Sequence, residues 1–208
     1  AFPKMKCNLY DTGIGISLII KYPGNKKVGE AVDSLVSHVD LYPTICDLLN
    51  LEKPDWLQGT TMLPILEGKS EKIRDEIFSE VTYHAAYEPM RCIRTERYKL
   101  IRFYDYHNKV VMANIDDGPS KRFLMEYGLE NQCREREMFF DLYHDPVERV
   151  NLTKDSGYCK IKQQLTKRLN IWMEETDDPL FNSGRVEKPE GAIVDKLENI
   201  QLGEGNFE

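Results

Sequence analysis

The segment between two predicted strands carries the side chains best suited to binding an anion. It reads Thr82-Tyr83-His84-Ala85-Ala86-Tyr87-Glu88-Pro89-Met90-Arg91. Loops held by a rigid sheet commonly carry specificity, and arginine makes paired hydrogen bonds to a carboxylate or a sulfate. His84 and Arg91 are therefore candidate substrate-binding residues. The alternative is a structural loop in which both side chains cap backbone carbonyl groups, and the sequence leaves both interpretations open.

A run of positive charge continues from this loop. Arg91, Arg94, Arg97, Lys99 and Arg102 place five cations within twelve residues. A cationic face of this kind would suit a polyanionic ligand. For Arg97, Lys99 and Arg102 the pattern favours the plainer interpretation, the solvated side of a β-hairpin.

The common patterns for nucleophilic or metal-dependent chemistry are missing from the sequence. It has no GxSxG, HExxH, P-loop or GxGxxG motif, and its four histidines are far apart. The five cysteines are scattered without CxxC spacing, which predicts neither a zinc site nor a disulfide framework. Asp145-Pro146, followed by Glu148, is interpreted as a turn and not as a catalytic carboxylate pair.

Composition narrows the class of protein. The 208 residues are 41% hydrophobic and 30% charged, which is typical of a globular protein with a real core. The net charge of −7 argues against nucleic acid as a general partner. The longest apolar run, Ile14 to Ile20, is too short to span a membrane. The opening residues Ala1-Phe2-Pro3-Lys4 suggest a cut within a longer protein.

Hydrophobic patterning in the first 72 residues predicts the last pieces of an α/β layered domain. Ile14 to Ile20 is predicted to be a strand buried on both faces. Asp40 is predicted to cap a helix whose apolar face is formed by Leu41, Ile45, Leu48 and Leu49. A short helical turn is expected at residues 62–66.

From residue 76 the hydrophobic period becomes that of strands. Four strands are predicted, at residues 77–83, 90–94, 98–104 and 137–143. An irregular insertion with one short helix is expected at 105–136. A helix at 156–175 carries the apolar stripe Ile161, Leu165, Leu169, Trp172 and Met173.

These patterns predict three parts. Residues 1–72 form the C-terminal end of an α/β domain, residues 73–180 form a small α+β subdomain with a four-stranded antiparallel sheet and one C-terminal helix, and residues 181–208 form a surface tail. The first part has too few strands for a sheet of its own, which implies that the fold needs further chain.

Several spaced signatures, in order, resemble the sulfatases of the alkaline phosphatase superfamily. They are "KCNLYDTGIGISLIIKYPG", "SHVDLYPTICDLL", "LQGTTMLPILEGK", "MRCIRTERYKLI" and "MFFDLYHDPVERVNL", followed by a helix ending "WMEETDDP". The segment "EVTYHAAYEPMRCIRTERYKLI" is most similar to the heparan N-sulfatase (sulfamidase) branch and its bacterial relatives. The resemblance covers residues 6 to about 180 and implies an alkaline-phosphatase-like α/β sandwich.

The resemblance also implies a catalytic role for one residue. The family places a lysine five residues before an acidic residue in a "K-x-x-x-[YR]-[ED]-x-G" approach, and here Lys6 precedes Asp11 by five with Gly13 following. Lys6 therefore matches the lysine that contacts the sulfate. An ammonium group there would offset the charge that develops as the S–O or S–N bond breaks.

The remaining catalytic machinery of such an enzyme is expected outside this chain. The resemblance implies a formylglycine, made from the Cys or Ser of C/S-x-P-x-R, and a calcium ion, but no such motif or Asp/Asn ligand set occurs here. The whole protein would act on a sulfated carbohydrate, and this chain alone is expected to hydrolyse nothing. Two alternatives stay open: a phosphodiesterase or phosphonate hydrolase of the same superfamily, and a non-catalytic glycan-binding or fold-completing module.

Overall fold

The computed structural model describes residues 6–203, 205 and 207, and these divide into two compact units. One unit contains residues 6–15, 78–93 and 97–203 with 205 and 207. The other contains Ile16–Ile77 and Arg94–Glu96. The segment that carries Lys6 therefore belongs to the unit built around the sheet.

The sheet has four strands in the order β1-β2-β3-β4. They are β1 (Glu76–Tyr83), β2 (Tyr87–Thr95), β3 (Tyr98–Phe103) and β4 (Glu137–Asp141). β3 and β4 run antiparallel with Leu100 opposite Phe139. The prediction of a four-stranded antiparallel sheet is confirmed.

The helices of the described residues are mostly short. They are α1 (Asp11–Ile14), α2 (Leu41–Leu49), α3 (Leu63–Leu66), α4 (Pro119–Glu126), α5 (Cys159–Glu175) and α6 (Pro179–Ser183). Single 3-10 turns lie at His38–Asp40, Met112–Asn114, Leu129–Asn131 and Ser156–Tyr158. The predicted turn at 62–66, the short helix inside 105–136 and the long C-terminal helix are all confirmed.

Successive strand residues point to opposite sides of the sheet, so its apolar residues form two faces. Both faces are buried. Leu100 and Phe139 pack with Leu165 and Leu169 of α5. On the opposite face, apolar strand residues pack with Leu9, and the partly buried Tyr10 and Ile14 lie against the same cluster. The strand residues of this cluster are Met90, Cys92, Ile101, Phe103, Met138 and Phe140. The predicted stripe of α5 thus faces the core, and the segment after Lys6 covers the other side of the sheet.

The predicted buried strand at Ile14–Ile20 is wrong. α1 ends at Ile14, residues 15–22 have no regular structure, and Ile19 is 93% exposed. A strand needs a neighbour for its backbone N–H and C=O groups. No described strand lies beside this segment in the sheet order. Its apolar side chains consequently remain on the surface of the described chain.

Asp40 occupies the N-cap position of α2, as predicted, although its side chain makes no cap bond to that helix. It is also the third residue of a capping box that Ser37 opens at the preceding 3-10 turn. Asp40 is fully buried, and its carboxylate accepts from the backbone N–H groups of Ser37 at 2.7 Å and Thr60 at 2.8 Å and from the guanidinium of Arg74. Thr60 can approach because Gly59 has no Cβ, which would lie 1.8 Å from the Val39 carbonyl oxygen.

The predicted apolar face of α2 is not the buried one. Pro43, Thr44 and Cys46 are buried, whereas Ile45 and Leu49 are exposed. The spacing correctly predicted a helix, but the face that is buried within the described chain carries Pro43, Thr44 and Cys46 and not the predicted apolar residues.

Two further expectations are corrected by burial. Lys99 is fully buried and not on a solvated hairpin face, because it forms ion pairs with carboxylates from distant parts of the chain. The tail after residue 181 is anchored in part, since Val194, Asp195 and Asn199 are buried and Asp195 forms a parallel bridge with Ala86.

Candidate functional site

Lys6 presents its ammonium group to solvent. Its side chain is 65% exposed, and Nζ lies 3.1 Å from Oδ2 of Asp116, which is 62% exposed. A pair this exposed is worth only about 0–1 kcal/mol. An incoming anion can therefore compete with Asp116 for the ammonium group at little cost.

The backbone around Lys6 is fixed although its side chain is exposed. Cys7 has a left-handed φ of 58°, which is uncommon for a residue other than glycine. Asn8 is buried and bridges the turn: its Nδ2 donates to the Lys6 carbonyl at 3.2 Å, and its Oδ1 accepts from the Tyr10 N–H at 2.9 Å. These bonds hold the carbonyl of Lys6 in one place.

Gly13 is required by the same turn. A Cβ at this position would lie 2.4 Å from Oδ1 and 2.7 Å from Nδ2 of Asn8. Any larger residue would displace the side chain that grips the Lys6 carbonyl. The glycine of the K-x-x-x-[YR]-[ED]-x-G pattern therefore has a steric role in this structure.

Tyr10 ties the segment to the sheet. Its hydroxyl donates to Sδ of Met138 at 3.1 Å, and its ring lies 5.9 Å from that of Phe140. Burial, followed by the nearby charges of Glu148 and Glu88, raises the pKa of Tyr10 to about 12. The phenol therefore stays neutral over the physiological range and serves as an anchor.

His84 lies exposed on the loop between β1 and β2, and the loop is held from behind by Asn114. Oδ1 of Asn114 accepts from the N–H groups of Ala85 at 3.0 Å and Ala86 at 2.8 Å. Its Nδ2 donates to the Ala86 carbonyl at 3.3 Å and to Oε2 of Glu88 at 3.0 Å. All polar atoms of this buried amide side chain are thus used to fix the loop.

Lys6 and the backbone of the loop that carries His84 contact the same short stretch of chain, residues 114–116. Asn114 holds the loop that carries His84, and Asp116, two residues later, pairs with Lys6. The stretch 111–115 is anchored by the buried side chains of Val111, Met112, Ala113 and Ile115. It lies within the insertion for which the sequence showed no hydrophobic period, so no sequence signal pointed to Asn114.

Arg91 is buried, and its guanidinium is fully engaged by other groups of the protein. Its Nε and Nη2 contact Oδ2 and Oδ1 of Asp178 at 2.5 and 3.0 Å, and Nη2 also pairs with Glu80 at 3.1 Å. Its Nη1 donates to the carbonyls of Val81 and Met90 and to the Thr82 hydroxyl. The guanidinium therefore links β1, β2 and the start of α6.

Neither a metal-binding cluster nor a transmembrane helix is found in the part of the chain that the structure describes. Among residues 6–203, 205 and 207, no three His, Cys, Asp or Glu side chains come together in a group that could hold a metal ion. Within the same residues, no helix is both long and apolar enough to cross a bilayer.

Solved structures of sulfatases share this architecture. A 2-O GAG sulfatase superimposes with a TM-score of 0.51 and 26% identity over 72% of this chain and 27% of that chain. The fold is thus that of the C-terminal region of alkaline-phosphatase-like sulfatases, as the sequence predicted.

Sequence relatives define the family more narrowly. Residues 5–132 match the family described as N-sulphoglucosamine sulphohydrolase, C-terminal, and the chain belongs to that family. An ulvan-active sulfatase of Formosa agariphila is 28% identical over 84% of this chain and 36% of its own length. Human N-sulphoglucosamine sulphohydrolase is 25% identical over 94% of this chain and 43% of its own length. The chain therefore spans less than half of the length of either relative.

Proposed function

We propose that this chain is the C-terminal part of a sulfatase that hydrolyses sulfate esters or sulfamates on a sulfated carbohydrate. Family membership supports the reaction class, and the relatives named for ulvan, for N-sulphoglucosamine and for GAG 2-O-sulfate support the substrate class. The nucleophile, inferred to be a formylglycine, and the calcium ion would be supplied by residues outside this chain.

The observation that carries the proposal is the geometry at Lys6. Its ammonium group is accessible, while the backbone on its C-terminal side is held by Asn8 and by the packing of Leu9 in the sheet core. A lysine whose backbone is fixed and whose ammonium group is accessible is suited to contact the oxygens of a sulfate. Charge stabilisation needs little reorganisation when the donor is already in position.

His84 is proposed to contact the sugar of the substrate. It is exposed on a loop whose backbone is fixed by Asn114, and that loop and Lys6 contact the same stretch of chain. An imidazole there can donate to a hydroxyl, carboxylate or second sulfate group. We infer a different role for Arg91, since its guanidinium is buried and engaged by Asp178, Glu80 and backbone carbonyls.

The test is an assay of the full protein on a chromogenic aryl sulfate with calcium, comparing wild type with Lys6→Ala. Loss of one charge-stabilising donor should lower kcat/KM by about 100-fold or more. Lys154→Ala is the matched control, because Lys154 is also an exposed lysine paired with a single carboxylate, Glu135. Near-normal activity of Lys6→Ala would contradict the assignment.

Two further assays test the phosphonate hydrolase alternative and the role of His84. A preference of the wild-type protein for an aryl phosphonate over the aryl sulfate would favour the phosphonate hydrolase interpretation. His84→Ala should raise KM for a sulfated disaccharide several-fold while leaving turnover of the small aryl sulfate unchanged. An equal effect on both substrates would contradict a role in binding the sugar.

A further inference from the structure

A cluster of three charges, two of them fully or almost fully buried, joins the segment that follows Lys6 to β3. Lys99 of β3 is fully buried, and its Nζ lies 2.7 Å from Oδ1 of Asp11 and 2.8 Å from Oε1 of Glu148. The three residues come from three separate parts of the chain. Burying charged groups is costly unless they are paired, so such a cluster persists only where its contacts are well formed.

The cluster holds Asp11 at two points. The side chain of Asp11 is held by Lys99, and the backbone N–H of Asp11 donates to Oε2 of Glu148 at 2.6 Å. Glu148 is itself set in place by a left-handed turn with φ of 55°, whose N–H donates to the Asp145 carbonyl at 3.1 Å. Asp11 is thereby fixed in both main chain and side chain against β3.

Asp11 is connected to Lys6 by a rigid path. Tyr10 donates its N–H to Asn8, Asn8 donates to the Lys6 carbonyl, and Leu9 between them is buried in the sheet core. Gly13, two residues after Asp11, leaves the space that the Asn8 side chain occupies. A shift of Asp11 would therefore move the turn from which the Lys6 side chain projects.

We propose that Lys99 is a positioning residue for Lys6, and that the Lys99–Asp11–Glu148 cluster fixes the approach of the Lys6 ammonium group to the substrate sulfate. This inference rests on the role of Lys6 given above. Lys99 does not touch the substrate; it acts through Asp11. A displacement of about 1 Å at a reacting centre can lower a rate by about 100-fold, so an anchor of this kind has a kinetic consequence.

The structural arm of the test is hydrogen exchange in the full protein. Lys99→Met keeps the length of the side chain and removes its charge, and Lys154→Met is the control at an exposed ion pair. Exchange of the Asp11 and Tyr10 amides should accelerate about tenfold or more in Lys99→Met, while the α5 amides are unchanged. Unchanged exchange at Asp11 and Tyr10 would overturn the anchor.

The kinetic arm asks whether Lys99 acts through Lys6. On the aryl sulfate, Lys99→Met should lower kcat/KM by about 10- to 100-fold. The double variant Lys6→Ala/Lys99→Met should be no slower than Lys6→Ala alone, because the positioned group is already gone. A multiplied loss would overturn the proposal and indicate that Lys99 affects the enzyme independently of Lys6.

A milder variant keeps the proposal testable if Lys99→Met does not fold. Asp11→Asn leaves Lys99 paired with Glu148 and preserves the shape of the side chain, so one ion pair is weakened to a neutral hydrogen bond and the net charge of the cluster changes from −1 to 0. It should show the same exchange and kinetic pattern at smaller amplitude. Failure of Lys6→Ala to affect activity would refute the function of Lys6, whereas the exchange arm would still decide whether the anchor exists.

Discussion

The buried pair of Arg91 and Asp178 allows a prediction that separates a structural arginine from a ligand-binding one. Asp178→Asn removes the charge that faces Arg91 but keeps an oxygen that can accept from the Leu180 N–H, now 2.9 Å from Oδ1 of Asp178. Both side chains are at most 3% exposed, so water cannot replace the lost partner.

The expected loss follows from what remains around the guanidinium. Removing one partner of a buried ion pair costs about 3–5 kcal/mol. Glu80 still pairs with Nη2 at 3.1 Å, but it is 59% exposed and so compensates only in part. We therefore expect Asp178→Asn to lower the free energy of unfolding by about 3 kcal/mol. Asp178→Ala should cost about 1 kcal/mol more, because it also removes the cap of α6.

The assay is urea unfolding at pH 7, followed by the fluorescence of Trp172. This indole stacks on Phe78 with ring centroids 4.9 Å apart, in the same unit as the ion pair. A Trp56→Phe background removes the other tryptophan, which lies in the second unit. Reporting on one unit avoids treating a two-unit chain as a single transition.

A double-mutant cycle gives the result that would refute the reasoning. Arg91→Met and Asp178→Asn should be coupled by about 2 kcal/mol, since each leaves the other charge buried without its main partner. Additive effects, or a loss below about 1 kcal/mol for Asp178→Asn, would mean that the pair does not hold α6 to the sheet. An unchanged KM for a sulfated disaccharide in Asp178→Asn is expected alongside.

Three other predictions follow from the fold and the Lys6 segment. Asp40→Ala should destabilise the unit that contains residues 16–77 by about 3 kcal/mol, because Arg74 and two backbone N–H groups lose a buried acceptor. Urea unfolding followed by the fluorescence of Trp56 measures this loss, and an unchanged transition would contradict the prediction. Gly13→Ala should lower kcat/KM on the aryl sulfate about tenfold by displacing Asn8, whereas Gly118→Ala, with open space at its Cβ and an extended backbone, should leave activity unchanged. Tyr10→Phe should change the alkaline stability. The folded pKa of Tyr10, about 12, lies above the unfolded value, so the unfolded state alone ionises as the pH rises past about 10. Wild type should therefore lose about 2 kcal/mol relative to Tyr10→Phe between pH 9 and pH 11.5, and parallel pH profiles would contradict this assignment.

Much of the fold of the sheet unit could be predicted from the sequence because its signals are local. The alternating patterns of β3 and β4 and the helical stripe of α5 depend on neighbours within a few residues. The spacing of Lys6, Asp11 and Gly13 likewise lies within eight residues, and the family pattern identified it. The structure adds the physical reason for the glycine, which is the room that Asn8 needs.

Local patterns predicted burial wrongly where it depends on a neighbouring segment that is distant in sequence or is not among the described residues. The run Ile14–Ile20 has the composition of a buried strand, yet no described strand lies beside it. Ile45 and Leu49 of α2 have helical spacing, yet they are exposed in the described chain. Composition and period predict that a segment can be buried, but only its neighbours decide whether it is.

The sequence by itself determined the family, the four strands, the long C-terminal helix and the family pattern that contains Lys6, Asp11 and Gly13. Only the tertiary structure decided which charged side chains are buried. Lys99 is buried against carboxylates 88 and 49 residues away, and Arg91 is buried against a carboxylate 87 residues away. It also placed Asn114 behind the loop of His84. A charged side chain looks the same in a sequence whether it meets water or a buried partner, because that outcome depends on which distant segments the fold brings together.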